Sequence, residues 1–212
     1  MSEVFRIDIE SHSGDVVTTL KNWQYFSSQQ RVANKGNFRL QLHDDDPNSK
    51  LIKEDYILRL WYKNEEEDIL WTNIFNGIIK TPTRVWYSNG NKLAIFYGSD
   101  DNEIPFKALV MYPTSSAEAG KSGIASDVMA EYLEENIGSL ATVVNGRYVD
   151  HVNPVTINNP SSVGPVWTGN KAHDNLVKTL AEIRQFTKEQ GDRVDFQTYY
   201  TGGFTWRVDV GK

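Results

Sequence analysis

Through the first hundred residues, apolar side chains return at every second position and not at every third or fourth. That period, more than any other feature, limits what this chain can fold into. The clearest instance is Phe38-Arg39-Leu40-Gln41-Leu42, a strand with one covered face and one wet face. Val4, Ile7 and Ile9 open an earlier strand with imperfect alternation. Positions 15–20 and 23–26 supply two more, set off by Gly14 and Lys21-Asn22. Residues 43–49 form a polar loop around Pro47, and 56–61 a strand that is apolar on both sides. Four successive acids, Glu65-Glu66-Glu67-Asp68, repel one another and suit a solvated hairpin tip. Strand character returns at 69–80, with Gly77 as a bulge or a point of close backbone approach. Asn89-Gly90, between 84–88 and 91–97, predicts a hairpin closed by a type I′ turn with positive φ at both central residues.

The period changes after Pro113. Ile124, Val128, Met129, Tyr132 and Leu133 share one face of a helix over about 123–136, with Ser122 as its cap and Gly138 at its end. A second helix spans about 172–190, capped by Asn170 and stopped by Gly191, with Leu176, Leu180 and Ile183 as its stripe and Val177 and Phe186 beside them. Residues 139–169 are rich in Asn, Pro, Ser, Gly and Val and read as a long arm without regular structure. Positions 192–200, Gly202-Gly203 and 204–210 make a closing hairpin. In its last strand Phe204, Trp206, Val208 and Val210 alternate with polar residues.

The expected fold class is α+β, with β-barrel-like antiparallel strands and a two-helix insertion. Residues 1–104 form the β-rich part, 105–191 the helical insertion with its 139–169 loop, and 192–212 the closing hairpin. That hairpin packs on the β-rich domain or on a second, incomplete one.

Composition excludes several functions. A length of 212 residues allows one large domain or two small ones. The net charge of −6, without a long basic run, makes nucleic acid a poor partner. Zero cysteines exclude disulfides, thiolate metal sites and thiol catalysis. No run approaches the ~18 apolar residues of a membrane span. Met1-Ser2-Glu3-Val4-Phe5-Arg6 lacks the basic-then-apolar order of a signal peptide, so synthesis in the cytoplasm is expected.

Catalytic and metal-binding patterns fail one after another. His12, His43, His151 and His173 have no paired ligand spacing. Asp44-Asp45-Asp46-Pro47-Asn48 lacks the alternation and glycine of a calcium loop. Asp44-Asp45-Asp46, Glu65-Glu66-Glu67-Asp68, Asp100-Asp101 and Glu134-Glu135 sit in polar runs, whereas glycoside hydrolysis needs one acid in an apolar setting. Gly120-Lys121-Ser122 lacks the upstream glycine of a phosphate loop, since Ser115 stands there. No catalytic, cofactor-binding or metal-ligating residue is therefore expected. What remains is an aromatic framework, with 6 Trp, 10 Tyr and 9 Phe, and a long polar arm, features that favour an assembly protein.

Four stretches and a closing module carry a family resemblance. They are Asn37 to Leu42 followed by Leu51 to Leu58, then Ile74-Phe75-Asn76-Gly77-Ile78-Ile79, then Ala108 to Pro113, then Ala125 to Asn136, and finally Asn175 to Val210. In this order they resemble tail proteins of long-tailed phages, a family related to the baseplate hub of contractile-tailed phages and to the N-terminal hub domain of tail-associated lysins. The resemblance implies a non-enzymatic virion protein of the tail hub or distal tail. It would form a ring with copies of itself, a trimer, and join the tube to tip proteins, without binding nucleic acid or entering a membrane. Family members continue beyond the hairpin that here ends at Val210, and their later strands help close a second barrel. The resemblance therefore implies a shortened chain, or strands supplied by another chain. A cell-wall-degrading or carbohydrate-binding tail module is the alternative, and a bacterial injection-system hub would obey nearly the same physics.

Overall fold

The computed structural model describes residues 3–11, 13–31, 34–64, 70–112, 114–147, 154–202 and 205–211. Glu65 to Asp68, His12, His151, Gly203 and Phe204 lie outside them. Two compact units emerge, one of residues 1–30, 35–101 and 202–204, the other of 31–34, 102–201 and 205–212.

The first unit is built on β1 (Glu3–Glu10), β2 (Val16–Leu20), β3 (Tyr25–Gln29), β4 (Asn37–His43), β5 (Ile57–Asn64), β6 (Thr72–Trp86) and β7 (Lys92–Asp100). These form one seven-stranded sheet in the order β2-β1-β5-β6-β7-β4-β3. Every pairing in it is antiparallel. Alternation works as the sequence requires: Phe38, Leu40 and Leu42 are buried while Arg39 and Gln41 face outward. Ile7, Ile9, Leu20, Leu58, Leu60, Phe75, Ile79, Ala94 and Phe96 join them in one core, with Ile52 from the loop before β5. Among the described residues, this core draws on the seven-stranded sheet and the segment before β5 and on no helix.

Gly77 is the close-approach point anticipated for it. A Cβ there would meet the Phe38 ring at 2.6 Å, so only glycine lets β6 pass beneath that ring. The register irregularity lies further along, between Ile79 and Thr81. β6 then runs unbroken through Pro82 to Trp86, where the sequence suggested two strands. Proline is tolerated because β5 pairs with β6 only over its first part, up to Ile78.

The β6–β7 hairpin forms, but its turn is not type I′. Gly90 has φ +86, whereas Asn89 is not in the left-handed region. The amide of Gly90 donates to Tyr87 O at 3.0 Å and that of Tyr87 to Asn91 O at 2.9 Å. A turn of ordinary hand followed by one left-handed glycine is the longer hairpin loop with a bulge.

The second unit holds α1 (Glu103–Lys107), β8 (Ala119–Ile124), α2 (Ala125–Asn136), β9 (Thr156–Asn158), β10 (Val166–Lys171), α3 (Leu176–Glu189), β11 (Asp195–Gly202) and β12 (Thr205–Gly211). β8 and β10 make an antiparallel ribbon, and β11, β12 and β9 a three-stranded sheet in that order, with β9 parallel to β12. The core joins Val128, Met129, Tyr132 and Leu133 of α2 to Leu176, Leu180 and Ile183 of α3, with Phe196 and Val208 from the sheet also buried.

Three expectations need correction here. Ser122 is in β8 and caps nothing; α2 starts at Ala125, directly after the strand, without a side-chain cap. Asn170 is in β10, and Asn175 caps α3 instead, its Oδ1 accepting from Lys178 N at 3.2 Å. Residues 139–169 are not an unstructured arm: they contain a 3-10 turn at Val143–Asn145, the whole of β9 and the start of β10.

Candidate assembly surfaces

Of the acids singled out in the sequence, those among the described residues mostly serve local structure. Asp44 pairs with Arg84, and Asp46 caps the 3-10 turn Pro47–Lys50 by accepting from Asn48 N at 2.9 Å. Asp100, buried, accepts from Gly36 N at 2.9 Å, and Asp101 from Asn76 Nδ2 at 3.2 Å. Glu134 accepts from the Ser139 amide at 2.9 Å and its hydroxyl at 3.0 Å, tying down the end of α2. Glu135 pairs with Lys121 and, at 2.6 Å, with Arg147. His43 lies beside Asp45, and His173 Nε2 is 3.1 Å from the Tyr112 hydroxyl. Among the described residues, no group of three or more His, Asp or Glu is placed to hold a metal ion. Also among them, no helix is long and apolar enough to cross a membrane.

A groove of about 560 Å³ is lined by residues of the three-stranded sheet and of the segment after β9. Its charges are already spent on one another. Asp195 is shared by Arg184 and Arg193, and Asp209 binds Arg207 at 2.8 Å and Asn158 at 3.0 Å.

Tyr132 is the titratable group furthest from ordinary behaviour. Burial pushes its phenol pKa up, and Glu135, Glu131, Asp174 and Glu182 add to the effect. Its hydroxyl donates to Ala119 O at 2.9 Å and its ring meets Trp167 edge-on. It is a pin between α2 and the β8–β10 ribbon.

The outer face of the seven-stranded sheet carries two aromatic–cation groups. Asp8 and Glu10 are 6% and 5% exposed, and they pair with Arg6 at 3.1 Å and Arg59 at 2.9 Å. The guanidiniums lie over Trp61 and Trp71, with Arg59 4.4 Å from the Trp61 ring centre. Farther along, Arg39 sits between Tyr25 and Tyr97. Arginine and aromatic residues together are the composition of strong interface contacts.

Two further surfaces are apolar. Trp86, at the β6–β7 turn, is 73% exposed, and Tyr87 beside it is also exposed. In the second unit Leu140, Val143 and Val144 are 46%, 53% and 95% exposed. Sequence reading marked that segment as an arm but named none of these residues. Their signal is a short apolar run, Leu140-Ala141-Thr142-Val143-Val144, inside an otherwise polar stretch.

No curated protein matches the chain. Among solved structures it is similar to a tail protein from Neisseria meningitidis MC58, at 10% identity and a TM-score of 0.49, covering 97% of this chain and 50% of that one. It is also similar to the E. coli c3393 protein, a type VI secretion component described as resembling the T4 tail proteins gp27 and gp5, at 8% identity, TM-score 0.40, and coverage of 98% and 45%. A third similarity is to the Francisella PdpA-VgrG complex in its lidded form, at 12% identity, TM-score 0.46, and coverage of 98% and 29%. The chain thus spans half or less of the length of these structures. The family described as Siphovirus ReqiPepy6 Gp37-like protein matches residues 6–208, nearly the whole sequence. The chain therefore belongs to that family of siphovirus tail proteins.

Proposed function

We propose that this chain is a non-catalytic hub or distal subunit of a siphovirus tail, which assembles with copies of itself into a ring and links the tail tube to tip proteins. One observation supports the reading: among the described residues, charged side chains such as Asp44, Glu135 and Asp195 are held in ion pairs, while apolar ones at Trp86 and Val144 stand in solvent. Exposed apolar surface on a water-soluble chain is costly unless a partner covers it. The trimeric ring follows from the family reading, since a heterologous contact whose rotation closes gives a ring. In this role the protein is made in the host cytoplasm and carried in the virion.

Size-exclusion chromatography with light scattering on the purified chain tests it. A species larger than one chain that grows with concentration is expected, and a strict monomer at every concentration contradicts the assembly role. The competing cell-wall-degrading reading predicts dye release from labelled peptidoglycan; none above background is expected.

A further inference from the structure

We infer that Asn89-Gly90, in the turn between β6 and β7, is a self-modification site, where the main chain converts the Asn89 amide into an aspartyl or isoaspartyl carboxylate. The inference goes beyond the assembly role proposed above and does not depend on it.

The chemistry needs an asparagine whose side-chain carbonyl the next main-chain nitrogen can reach. The Gly90 nitrogen attacks Asn89 Cγ, and the new C–N bond closes a five-membered imide. The Cγ–Nδ2 bond breaks; solvent base takes the Gly90 amide proton, and Nδ2 gains one from solvent and leaves as ammonia. Water then adds to one of the two imide carbonyls. Opening at the side-chain carbonyl gives aspartate. Opening at the main-chain carbonyl routes the chain through the former side chain, as isoaspartate. Glycine in the second position shields the attacking nitrogen least, having no Cβ.

The sequence holds three Asn-Gly pairs, at 76–77, 89–90 and 145–146. At the second, every residue from Trp86 to Lys92 is exposed. Asn89 Oδ1 accepts from the Asn91 amide at 3.1 Å. This bond folds the side chain along its own main chain past Gly90, and it draws electrons from the carbonyl that is to be attacked. A Cβ on Gly90 would meet nothing within 4 Å, so the imide ring has room. The Gly90 amide donates to Tyr87 O at 3.0 Å and must let go before it attacks. At an exposed turn that release costs little.

The other two pairs are held. Asn76 Nδ2 donates to Asp101 Oδ2 at 3.2 Å. Gly77 is paired with Leu58 on one side and Asp100 on the other, beneath the Phe38 ring, so ring closure there requires the sheet to part. Asn145 Nδ2, the leaving group of the third pair, donates to Leu140 O at 3.4 Å. Arg147, buried and paired with Glu135 at 2.6 Å, ties that turn down.

Conversion adds a negative charge to the loop that carries exposed Trp86 and Tyr87, where Lys92 lies 5.7 Å from the Trp86 ring centre. The isoaspartyl form also lengthens the main chain there by one methylene. The aromatic tip therefore changes charge and shape as the molecule ages.

The test holds the full chain in mildly alkaline buffer at physiological temperature, with and without urea. Mass-spectrometric peptide mapping follows all three pairs, and circular dichroism reports the fold. In the native chain Asn89 should convert more than roughly a hundredfold faster than Asn76, since a loop opens almost freely and a central strand opens at close to the cost of unfolding. Asn145 should fall between them. In urea the three rates should converge. An Asn89 that keeps its amide in the native chain while the unfolded chain reacts overturns the site. So does Asn76 or Asn145 reacting as fast as Asn89 without urea. Gly90→Ala, which shields the attacking nitrogen, should slow conversion in urea, where its effect on the folded turn plays no part; an unchanged rate there would mean direct hydrolysis and overturn the ring-closing step.

Discussion

At the scale of single residues, three positions give sharp tests. Asn102 is buried and bonded in three directions: its amide donates to Arg31 O at 2.8 Å and Asn34 O at 2.9 Å, while its Oδ1 accepts from Thr198 N at 3.2 Å. Asn102→Ala leaves those backbone groups without that partner, and urea unfolding should show a loss of about 3 kcal/mol. Gly77 lies beneath the Phe38 ring, so Gly77→Ala overpacks the first core and should cost about 1–3 kcal/mol. A cycle with Phe38→Leu should recover part of that cost; strict additivity would disprove the clash. Tyr132 gives a pH signature. Its folded pKa lies above the unfolded value of about 10, so the native state keeps a proton that the unfolded state has lost. The contribution is whole below pH ~10 and fades as pH rises beyond it. Tyr132→Phe should cost about 1 kcal/mol at neutral pH, from the lost bond to Ala119 O, and should flatten the alkaline decline in stability.

At the scale of elements, the cap of α3 offers a direct comparison. Asn175→Ala should lower stability by about 1 kcal/mol in thermal melts, whereas Asn170→Ala, in a strand, should leave the helix unaffected. The contrast shows where sequence reading succeeds. Period-two stretches such as Phe38 to Leu42 were legible, because one buried face imposes its pattern on the residues. The stripe of α3 was legible for the same reason, but its starting residue was not, since two asparagines stood near the boundary and only tertiary pairing chose between them. β8 was invisible: Ala119-Gly120-Lys121-Ser122-Gly123-Ile124 has no alternating apolar face and is a strand only because β10 pairs with it. β9 was missed likewise, being three residues held by β12. The exposed Leu140–Val144 run was not legible. Exposure is a property of the folded chain, and an apolar run in a loop reads equally well as buried.

For the whole molecule, net charge and apolar contact oppose each other. Copies carrying −6 repel at long range, while the apolar contact that the proposed assembly needs attracts only at short range. Raising ionic strength to about 0.15 M shortens the reach of the repulsion to about 8 Å and leaves the apolar contact intact. Self-association should therefore strengthen between low salt and that point, as sedimentation can measure. Weakening would mean that ion pairs, not apolar side chains, hold the copies together.

The three bonds of Asn102 also bear on how the chain comes off the ribosome. Every core residue of the first sheet lies between Ile7 and Phe96, so that core has all its parts early in synthesis. The second unit lacks the acceptor-seeking amide of Thr198 until about a hundred residues after the last of that core have been added. At about 5–20 residues per second, a nascent chain spends roughly 5–20 s with one half able to close and the other waiting. During that interval its unfinished helices and ribbon are what a chaperone would meet, and a stall upstream of β11 would release a product folded at one end only.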